Sequence, residues 1–164
     1  MSDPLGEGLY NAADKVVSSL LRDHPEINVN WTDEHWTSLH TASFRGHLEV
    51  VKLLLAHPNV NVNLKNCDGQ TPLSFGCEYG QVSVVRLLLK DPRVEVALDD
   101  IRGCTPLWWA SCEGKYEVIE WLIASGRDLG DVRNKKGHWN ENKFTAIEIA
   151  RREGKTEVVD LFTG

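Results

Sequence analysis

The stretch TSLHTASFRGHLEVVKLLL, residues 37–55, decides the fold because its pattern returns along the chain. The threonines that open successive copies are Thr37, Thr71, Thr105 and Thr145, which lie 34, 34 and 40 residues apart. Each threonine is followed nine residues later by a glycine and then by a run of apolar residues. A fixed period near 34 is typical of proteins built from stacked helical units. Every other residue is therefore interpreted by its place in the repeat.

One unit, residues 71–104, shows how the sequence predicts a helix, a turn, a second helix and a loop. A proline suits the first position of a helix whose preceding residue caps it, and Thr71-Pro72 has this order. Gly80 is expected to end the first helix in a left-handed turn. A second helix is predicted over residues 82–90, where apolar side chains cover most of the circumference and require burial on both sides. An extended loop is predicted over residues 94–103.

These motifs resemble the ankyrin repeat, whose signature joins a Thr-Pro-Leu-His start to a Gly-His-x-Glu-Val-Val second helix. Residues 37–42 and 46–51, with the sequences TSLHTA and GHLEVV, form the closest copy. The resemblance implies an all-α solenoid of stacked helix-turn-helix units with β-hairpin-like loops, in a single domain over residues 1–164. The implied units are an N-terminal capping unit at 5–36, full repeats at 37–70, 71–104 and 105–144, and a shortened C-terminal unit at 145–164.

The chain departs from the family pattern in its loops. The glycine that is usual at the loop tip corresponds to Gly69, Gly103 and Gly137, whereas His35 occupies this place in the first loop. The repeat that begins at Thr105 is also longer than the two before it, 40 residues against 34, and the extra residues are placed in 138–144.

Register with the other units assigns most of the tryptophans to packing. Trp121 aligns with leucines 53, 87 and 161 and is expected in the core. Trp109 and Trp31 are also expected to pack, on the first helix and at the root of a loop. Trp108 aligns with His40, serine 74 and glutamate 148, a mostly polar column. For Trp108, packing between repeats and contact with a ligand both remain open.

The resemblance implies that a protein partner binds in the concave groove formed by the loop tips and the first helices. These columns differ between units of this one chain, whereas the core columns do not, so packing does not fix them. Exposed aromatic residues on a rigid scaffold are typical interface anchors, which favours Trp36 and Trp139 as contacts of the partner. The candidate partner-binding residues are Trp36, Phe44, Arg45, Lys65, Asp68, Gln70, Glu78, Tyr79, Asp99, Ile101, Arg102, Cys112, Glu113, Lys135, Lys136 and Trp139. Glu34 of the first loop falls in the same columns.

The predicted groove changes character along its length. An aromatic stripe comes first, then an acidic middle, then a basic last loop: Trp36, Phe44 and Tyr79; Asp99, Asp100 and Glu113; and Arg133, Lys135 and Lys136. The hypothesis is therefore a protein partner that carries apolar anchors, a basic stretch and an acidic stretch in this order.

Charge argues against nucleic acid as the main partner. The net charge is −6, whereas broad binding to a phosphate backbone requires clustered lysine and arginine. The basic last loop with Trp139 keeps single-stranded nucleic acid as a weaker alternative. The four cysteines form no C-x-x-C pair and have no His-x-x-x-His partner, so they are interpreted as reduced, mostly buried thiols with no metal.

Catalytic motifs do not occur in the sequence. It contains no Ser-His-Asp order, no H-E-x-x-H and no phosphate-binding glycine loop, and an open stack has no cleft. His40, the one candidate base, is given a structural role by the resemblance, in which it bonds to a neighbouring loop. The chain is therefore expected not to be an enzyme and to need no cofactor.

The sequence also leads to expectations about the cellular setting. No run of 18 apolar residues and no secretory signal are visible, which predicts an intracellular protein, cytoplasmic or nuclear, that does not insert into membranes. A monomeric interaction scaffold or adaptor is the expected function. The alternative is that the chain is an ankyrin module excised from a larger multidomain signalling or effector protein.

Overall fold

A computed structural model describes residues 14–33 and 35–163, which form pairs of antiparallel helices joined by loops. The helices are α1 (Asp14–Asp23), α2 (Ser38–Arg45), α3 (Leu48–Ala56), α4 (Pro72–Glu78), α5 (Val82–Lys90), α6 (Pro106–Cys112), α7 (Tyr116–Ala124), α8 (Ala146–Arg152) and α9 (Thr156–Thr163). Two loops form short antiparallel hairpins, β1 (Thr32–Asp33) with β2 (Trp36–Thr37) and β3 (Gly137–Trp139) with β4 (Asn142–Phe144).

The helix pairs stack side by side in two layers. First helices α2, α4, α6 and α8 pack in sequence, and second helices α1, α3, α5, α7 and α9 pack behind them. The core between the layers repeats from unit to unit, as the complete burial of Leu54, Leu88 and Leu122 shows. The predicted all-α solenoid with hairpin-like loops is confirmed. The proposed unit boundaries stay a prediction, and residues 5–13 of the N-terminal unit lie outside the described residues.

The first helices begin as their sequences predict. In each of the four, the hydroxyl of the threonine before the helix accepts a hydrogen bond from a backbone N–H three residues later; for Thr71 the donor is Ser74, at 3.2 Å. Gly80 has φ +69°, the left-handed conformation expected where the first helix ends. The second helix of this unit runs over Val82–Lys90, the range that its apolar pattern predicts.

Polar side chains also join neighbouring units, through hydrogen bonds to backbone groups. Asn30 and Asn63 each donate to one backbone carbonyl of the next unit and accept from one of its N–H groups, at 2.7–2.9 Å. Ala97 occupies the equivalent position in the following unit. There Arg127 reaches back instead and donates to the carbonyl of Leu89 at 3.0 Å, close to the end of α5. The stack is thus held by polar bonds as well as by its apolar core.

The loop tips contain one correction. Gly69 and Gly103 have φ of +78° and +77°, as expected for loop tips, and His35 adopts the same left-handed region with φ +71°. Gly137 does not, because it lies buried in strand β3. The extra residues of this loop extend it into the β3–β4 hairpin, and the left-handed position moves to Asn140, with φ +54°.

Trp121 is a second correction, because it lies at the surface and not in the core. Its side chain is 36% exposed on the outer side of α7, with the guanidinium of Arg86 4.1 Å from the ring centroid. The residues in the same column, Leu53, Leu87 and Leu161, are themselves only half-buried. A larger ring at this position therefore extends into solvent.

Candidate functional site

Four aromatic side chains meet at helices α2 and α4, toward the N-terminal end of the stack. This front aromatic cluster consists of Trp36 from β2, Phe44 from α2, and Phe75 and Tyr79 from α4 and its C-terminal end. The ring centroids of Trp36 and Phe75 lie 4.3 Å apart, and those of Phe44 and Tyr79 lie 4.4 Å apart, edge to face. The structure thus brings together the three residues of the predicted aromatic stripe.

The cluster has a buried base and an exposed edge. Phe75 is 4% exposed, whereas Tyr79 is 46% exposed, and Trp36 and Phe44 lie between these limits. In five of the six ring pairs of the cluster the centroids lie 6.5 Å or less apart, so the rings fill the space between them by packing on one another. A partner would therefore contact the outer edge of the cluster and would not enter between its rings.

A second set of aromatic residues settles the question of Trp108. The Trp108 side chain is only 2% exposed, and its indole Nε1–H donates to the carbonyl of Phe144 at 2.8 Å. Packing between repeats is therefore its role, and contact with a ligand is excluded by its burial. Trp109 also packs, at 3% exposed, and Trp31 is half-buried at the root of the first loop.

Trp139 is only partly accessible to solvent, although it lies in the insertion. Its ring lies 5.8 Å from that of Trp108 and 6.0 Å from that of Trp109, and the side chain is half-buried. The inserted residues thus fold back onto the first helix of their own unit. Only the remaining face of Trp139 is available to a partner.

Asp100 is a further correction, because it does not belong to the acidic surface. It is 6% exposed, and its Oδ1 accepts hydrogen bonds from the backbone N–H groups of Arg102 and Cys104, both at 2.9 Å. Its Oδ2 accepts from the indole Nε1–H of Trp109 at 3.1 Å. Asp100 therefore closes the loop and ties it to α6.

The preceding unit makes the same loop turn with an amide. Asn66 uses its Oδ1 to accept from the backbone of Asp68 and Gln70, as Asp100 does one repeat later. Its Nδ2 is buried and has no hydrogen-bond partner among the described residues. The indole N–H that Asp100 meets belongs to Trp109, and the residue at the equivalent register relative to Asn66 is Phe75, which has no donor that would require a carboxylate.

We expect Asp100→Asn to lower the free energy of unfolding by about 1–3 kcal/mol, because the indole N–H of Trp109 then faces an amide N–H and loses its acceptor. The double variant Asp100→Asn/Trp109→Phe recreates the pair found one repeat earlier and should lose less than the sum of the two single changes. Urea unfolding of the four proteins measures the coupling, which we expect to reach about 1 kcal/mol. Additive losses would contradict the pairing.

The charged residues at the loop tips are partly satisfied within the chain. Asp99 lies between two lysines of neighbouring loops: Lys135 Nζ donates to its Oδ2 at 2.5 Å, and Lys65 Nζ donates to its backbone carbonyl at 2.5 Å. The hydrogen bond from Lys135 lowers the pKa of the Asp99 carboxyl below its usual value. Lys136 Nζ lies 3.9 Å from Glu148 Oε2. Exposed pairs of this kind contribute little and exchange readily for a partner's groups.

The acidic middle of the groove is formed by Glu78 and Glu113. Glu78 is half-buried at the end of α4, and Gln70 Nε2 donates to its Oε2 at 2.8 Å. Burial raises the pKa of the Glu78 carboxyl, the bond from Gln70 opposes this, and the nearby charge of Glu113 raises it further. Within the described residues, neither glutamate has a basic group within 4 Å that forms an ion pair.

The predicted partner-binding residues differ in how far they are accessible. Gln70 and Cys112 are buried, at 6% and 3% exposed, so their side chains do not belong to a contact surface. Glu34 lies outside the described residues. The exposed members are Arg45, Lys65, Asp68, Tyr79, Ile101, Arg102, Glu113, Lys135 and Lys136, and the half-buried ones are Trp36, Phe44, Glu78, Asp99 and Trp139. Ile101, at 73% exposed, is the most accessible large apolar side chain among them.

His40 has the structural role that its position predicts. The imidazole is fully buried, Nδ1 accepts the backbone N–H of Thr37 at 3.1 Å, and Nε2 lies 3.2 Å from the carbonyl of Gln70 in the next loop. Because Nδ1 is an acceptor, the neutral ring carries its proton on Nε2 and donates it to Gln70. Burial lowers the pKa of His40 to about 4, against which the bond to Gln70 works.

The thiols and the remaining ionisable groups form no metal site within the part of the chain that the structure describes. Cys77, Cys104 and Cys112 are buried, and Cys67 is exposed. Burial raises the pKa of the Cys104 and Cys112 thiols to about 12, which keeps them protonated. Of the helices in residues 14–33 and 35–163, none is long and apolar enough to cross a membrane.

Comparison with models of protein families identifies a repeat family. Residues 9–100 and 57–133 match the family model described as ankyrin repeats (3 copies). A search of curated proteins found no match.

Proposed function

Because the chain belongs to the ankyrin-repeat family, whose members are generally protein–protein interaction modules, we propose that it is a scaffold or adaptor that binds a protein partner in its concave groove. The observation that supports this is the front aromatic cluster, which keeps Tyr79 46% exposed on the groove side. Packing within the stack does not require an exposed aromatic edge there. Tyrosine and tryptophan that retain an accessible face on a rigid support are typical interface anchors.

The groove supports a partner with an ordered set of chemical features. Apolar anchors would contact the edge of the front aromatic cluster, and basic groups would follow opposite Glu78 and Glu113. Acidic groups would then face the last loop, where Lys136 and Arg133 are exposed. The corrected acidic middle keeps the order inferred from the sequence, although Asp100 no longer contributes to it. Because the stack is rigid, these groups lose little entropy on binding.

Two alternatives to this function were considered from the sequence, an excised module and a nucleic-acid binding protein. A module excised from a larger signalling or effector protein would bind in the same way, so it is part of the same proposal. For single-stranded nucleic acid, the expected stacking platform was Trp139, but this ring already packs on Trp108 and Trp109. We therefore do not propose nucleic-acid binding. The family is typically non-enzymatic, and the absence of catalysis in this chain stays a prediction.

The test uses the full chain and a display library of random 12-residue peptides. Peptides that bind the chain are measured against Tyr79→Ala, Phe44→Ala and Trp36→Ala by fluorescence polarisation. Loss of an interface anchor is expected to weaken binding at least tenfold. The matched control is Ile123→Ala, which removes a 47% exposed apolar side chain from helix α7 and should leave affinity unchanged.

Circular dichroism must show that each variant is folded before its affinity is compared. Tyr79→Ala is the most informative variant, because this ring has the largest exposed fraction in the cluster. If folded Tyr79→Ala binds every selected peptide as tightly as the parent chain, the concave groove is not the contact surface.

A further inference from the structure

The exposed ring of Tyr79 lies beside two carboxylates. Glu78 precedes Tyr79 in the chain, and Glu113 holds the position equivalent to Tyr79 at the end of α6, the first helix that packs against α4. An aromatic face and two acidic groups thus border one point of the groove.

Elsewhere the chain covers aromatic rings with its own arginines. The guanidinium carbon of Arg86 lies 4.1 Å from the ring centroid of Trp121, and that of Arg102 lies 4.7 Å from the ring of Trp109. Arg152 lies in the same way 5.0 Å from the ring of Phe144. Among the described residues, no arginine or lysine covers Tyr79 in this manner.

Three cations of the loop tips, Arg102, Lys65 and Lys135, are already engaged with other groups of the chain. Arg102 stacks on Trp109, and its Nε lies 3.9 Å from Asp100 Oδ2. Its charge lowers the pKa of the Glu78 carboxyl at longer range, but the two side chains form no ion pair within 4 Å. Lys65 and Lys135 both bind Asp99. Glu78 and Glu113 are therefore left without an ion pair inside the described part of the chain, although Glu78 is half-buried and its negative charge is only partly solvated.

We propose that the partner places an arginine side chain at this point, stacked on Tyr79 and paired with the carboxylates of Glu78 and Glu113, with an apolar residue beside it on the edge of Phe44. The inference rests on the proposed function and names the chemistry of one contact. Arginine fits better than lysine because its guanidinium is planar, binds carboxylates through two parallel N–H groups and stacks on aromatic faces. Gln70 holds the Glu78 carboxylate in place before the partner arrives.

Both the aromatic ring of Tyr79 and the carboxylates of the two glutamates favour a cation at this point. The quadrupole of an aromatic ring attracts a cation that lies over its face. A carboxylate that is already partly desolvated gains more from an added cation than an exposed one does. The buried Gln70 side chain donates one hydrogen bond to Glu78 Oε2, and the carboxylate has further acceptor positions. A guanidinium can therefore bind without displacing Gln70.

The experiment uses peptides selected from the display library on the full chain, with affinities measured for Tyr79-dependent members. In each peptide the arginine is replaced by citrulline, which keeps the shape and removes the charge, and separately by lysine. We expect citrulline to weaken binding about tenfold or more, in line with the strength of charge-assisted hydrogen bonds, and lysine to weaken it several-fold.

Variants of the chain, measured against the arginine and citrulline peptides, complete a double-mutant cycle. Glu78→Gln and Glu113→Gln should each weaken binding of the arginine peptide and should change affinity for the citrulline peptide less than twofold. Glu120→Gln, at an exposed position of α7 outside the groove, is the matched control and should leave both affinities unchanged. Glu78→Gln keeps the size of the side chain, so it does not destabilise the fold by removing packing contacts.

The possible outcomes separate the two proposals. Tyr79-dependent peptides that lack arginine, or that bind equally well with citrulline or lysine in its place, would overturn the arginine site while the groove remains the binding surface. Equal affinity of the arginine peptide for Glu78→Gln/Glu113→Gln and for the parent chain would do the same. A library that yields no Tyr79-dependent peptide overturns the proposed function, and the arginine site with it.

Discussion

Replacing Trp108 with alanine is expected to lower the free energy of unfolding by about 4 kcal/mol, in the middle of the range of about 3–5 kcal/mol for large buried aromatic side chains. Trp108 is 2% exposed and is the largest fully buried side chain in the described part of the protein. Truncation removes its contacts with Trp109 and Trp139 and leaves a cavity. It also removes the hydrogen bond to the carbonyl of Phe144.

The effect should spread to the β3–β4 hairpin, because Trp108 forms the surface on which the hairpin rests. A β-carbon at Gly137 would lie 3.0 Å from the indole Nε1 of Trp108 and 2.5 Å from the Sγ of Cys104, so the strand already lies as close as glycine allows. Loss of the indole therefore removes both the packing surface of β3 and the donor that holds the end of β4. Hydrogen exchange of the hairpin amides should accelerate in Trp108→Ala.

Two further tryptophan variants make the measurement specific. Trp108→Phe keeps much of the volume but has no N–H group, so its loss should be intermediate, with about 1 kcal/mol or more from the unpaired carbonyl. Trp121→Ala removes the same type of side chain from a surface position and should lose about 1 kcal/mol or less. Urea unfolding followed by circular dichroism compares them. Equal losses for Trp108→Ala and Trp121→Ala would show that the burial of Trp108 is not what stabilises the stack.

The contrast between these two tryptophans shows what register alone can and cannot predict. Alignment of repeats correctly gives the side of the helix on which a residue lies. It does not give depth, because the leucine column of Trp121 is only half-buried and a larger side chain exceeds it. The column of Trp108 is polar in the other units, yet His40 and Ser74 are as deeply buried as Trp108. Polar character there reflects hydrogen bonds to helix caps and loops and not exposure.

Helix starts and helix bounds, by comparison, were predicted correctly from the sequence. The starts of the first helices depend on a threonine hydroxyl, which a proline follows in α4 and α6, and the bounds of α5 follow from its apolar run. These features involve residues close in sequence, so no knowledge of the tertiary structure is required. The tip of the third-repeat loop was misplaced because the insertion changed its hairpin, which moved the left-handed position from Gly137 to Asn140.

The candidate site could be predicted only in part for a related reason. Asp99 and Asp100 are adjacent and chemically identical, but one is paired at the surface while the other is buried and accepts the amides of its own turn. The equivalent place of Asn66 one repeat earlier was the signal that could have separated them, since both residue types favour such turns. The cluster of Trp36 with Phe75 depends on contacts between units, which spacing within a unit does not reveal.

Acidification from pH 6.5 to pH 4 is expected to lower the free energy of unfolding by about 3 kcal/mol through His40 alone. The pKa of His40 is lowered to about 4 in the folded protein, whereas an unfolded histidine titrates near 6.5. The folded state therefore prefers the neutral ring. This contribution is fully present above pH 6.5 and is lost as the pH falls from 6.5 to 4, because the unfolded chain takes up a proton that the folded chain does not.

The geometry around His40 explains why the folded state resists the proton. A proton on Nδ1 would face the backbone N–H of Thr37, which now donates to that nitrogen at 3.1 Å. The start of α2 would then lose one of its reciprocal capping bonds. Protonation would also place a charge on a ring with no exposed surface, and the carbonyl of Gln70 can accept from only one of its two N–H groups.

The measurement compares urea unfolding of the parent chain and of His40→Gln at several pH values between 4 and 7.5. His40→Gln keeps hydrogen-bonding groups of similar reach but cannot titrate, and Glu78 and the other carboxylates contribute equally to both curves. We expect the parent to lose about 3 kcal/mol more than the variant over this range. Parallel curves would mean that His40 takes up its proton equally in the folded and unfolded chains, and that its burial does not control the acid stability of the stack.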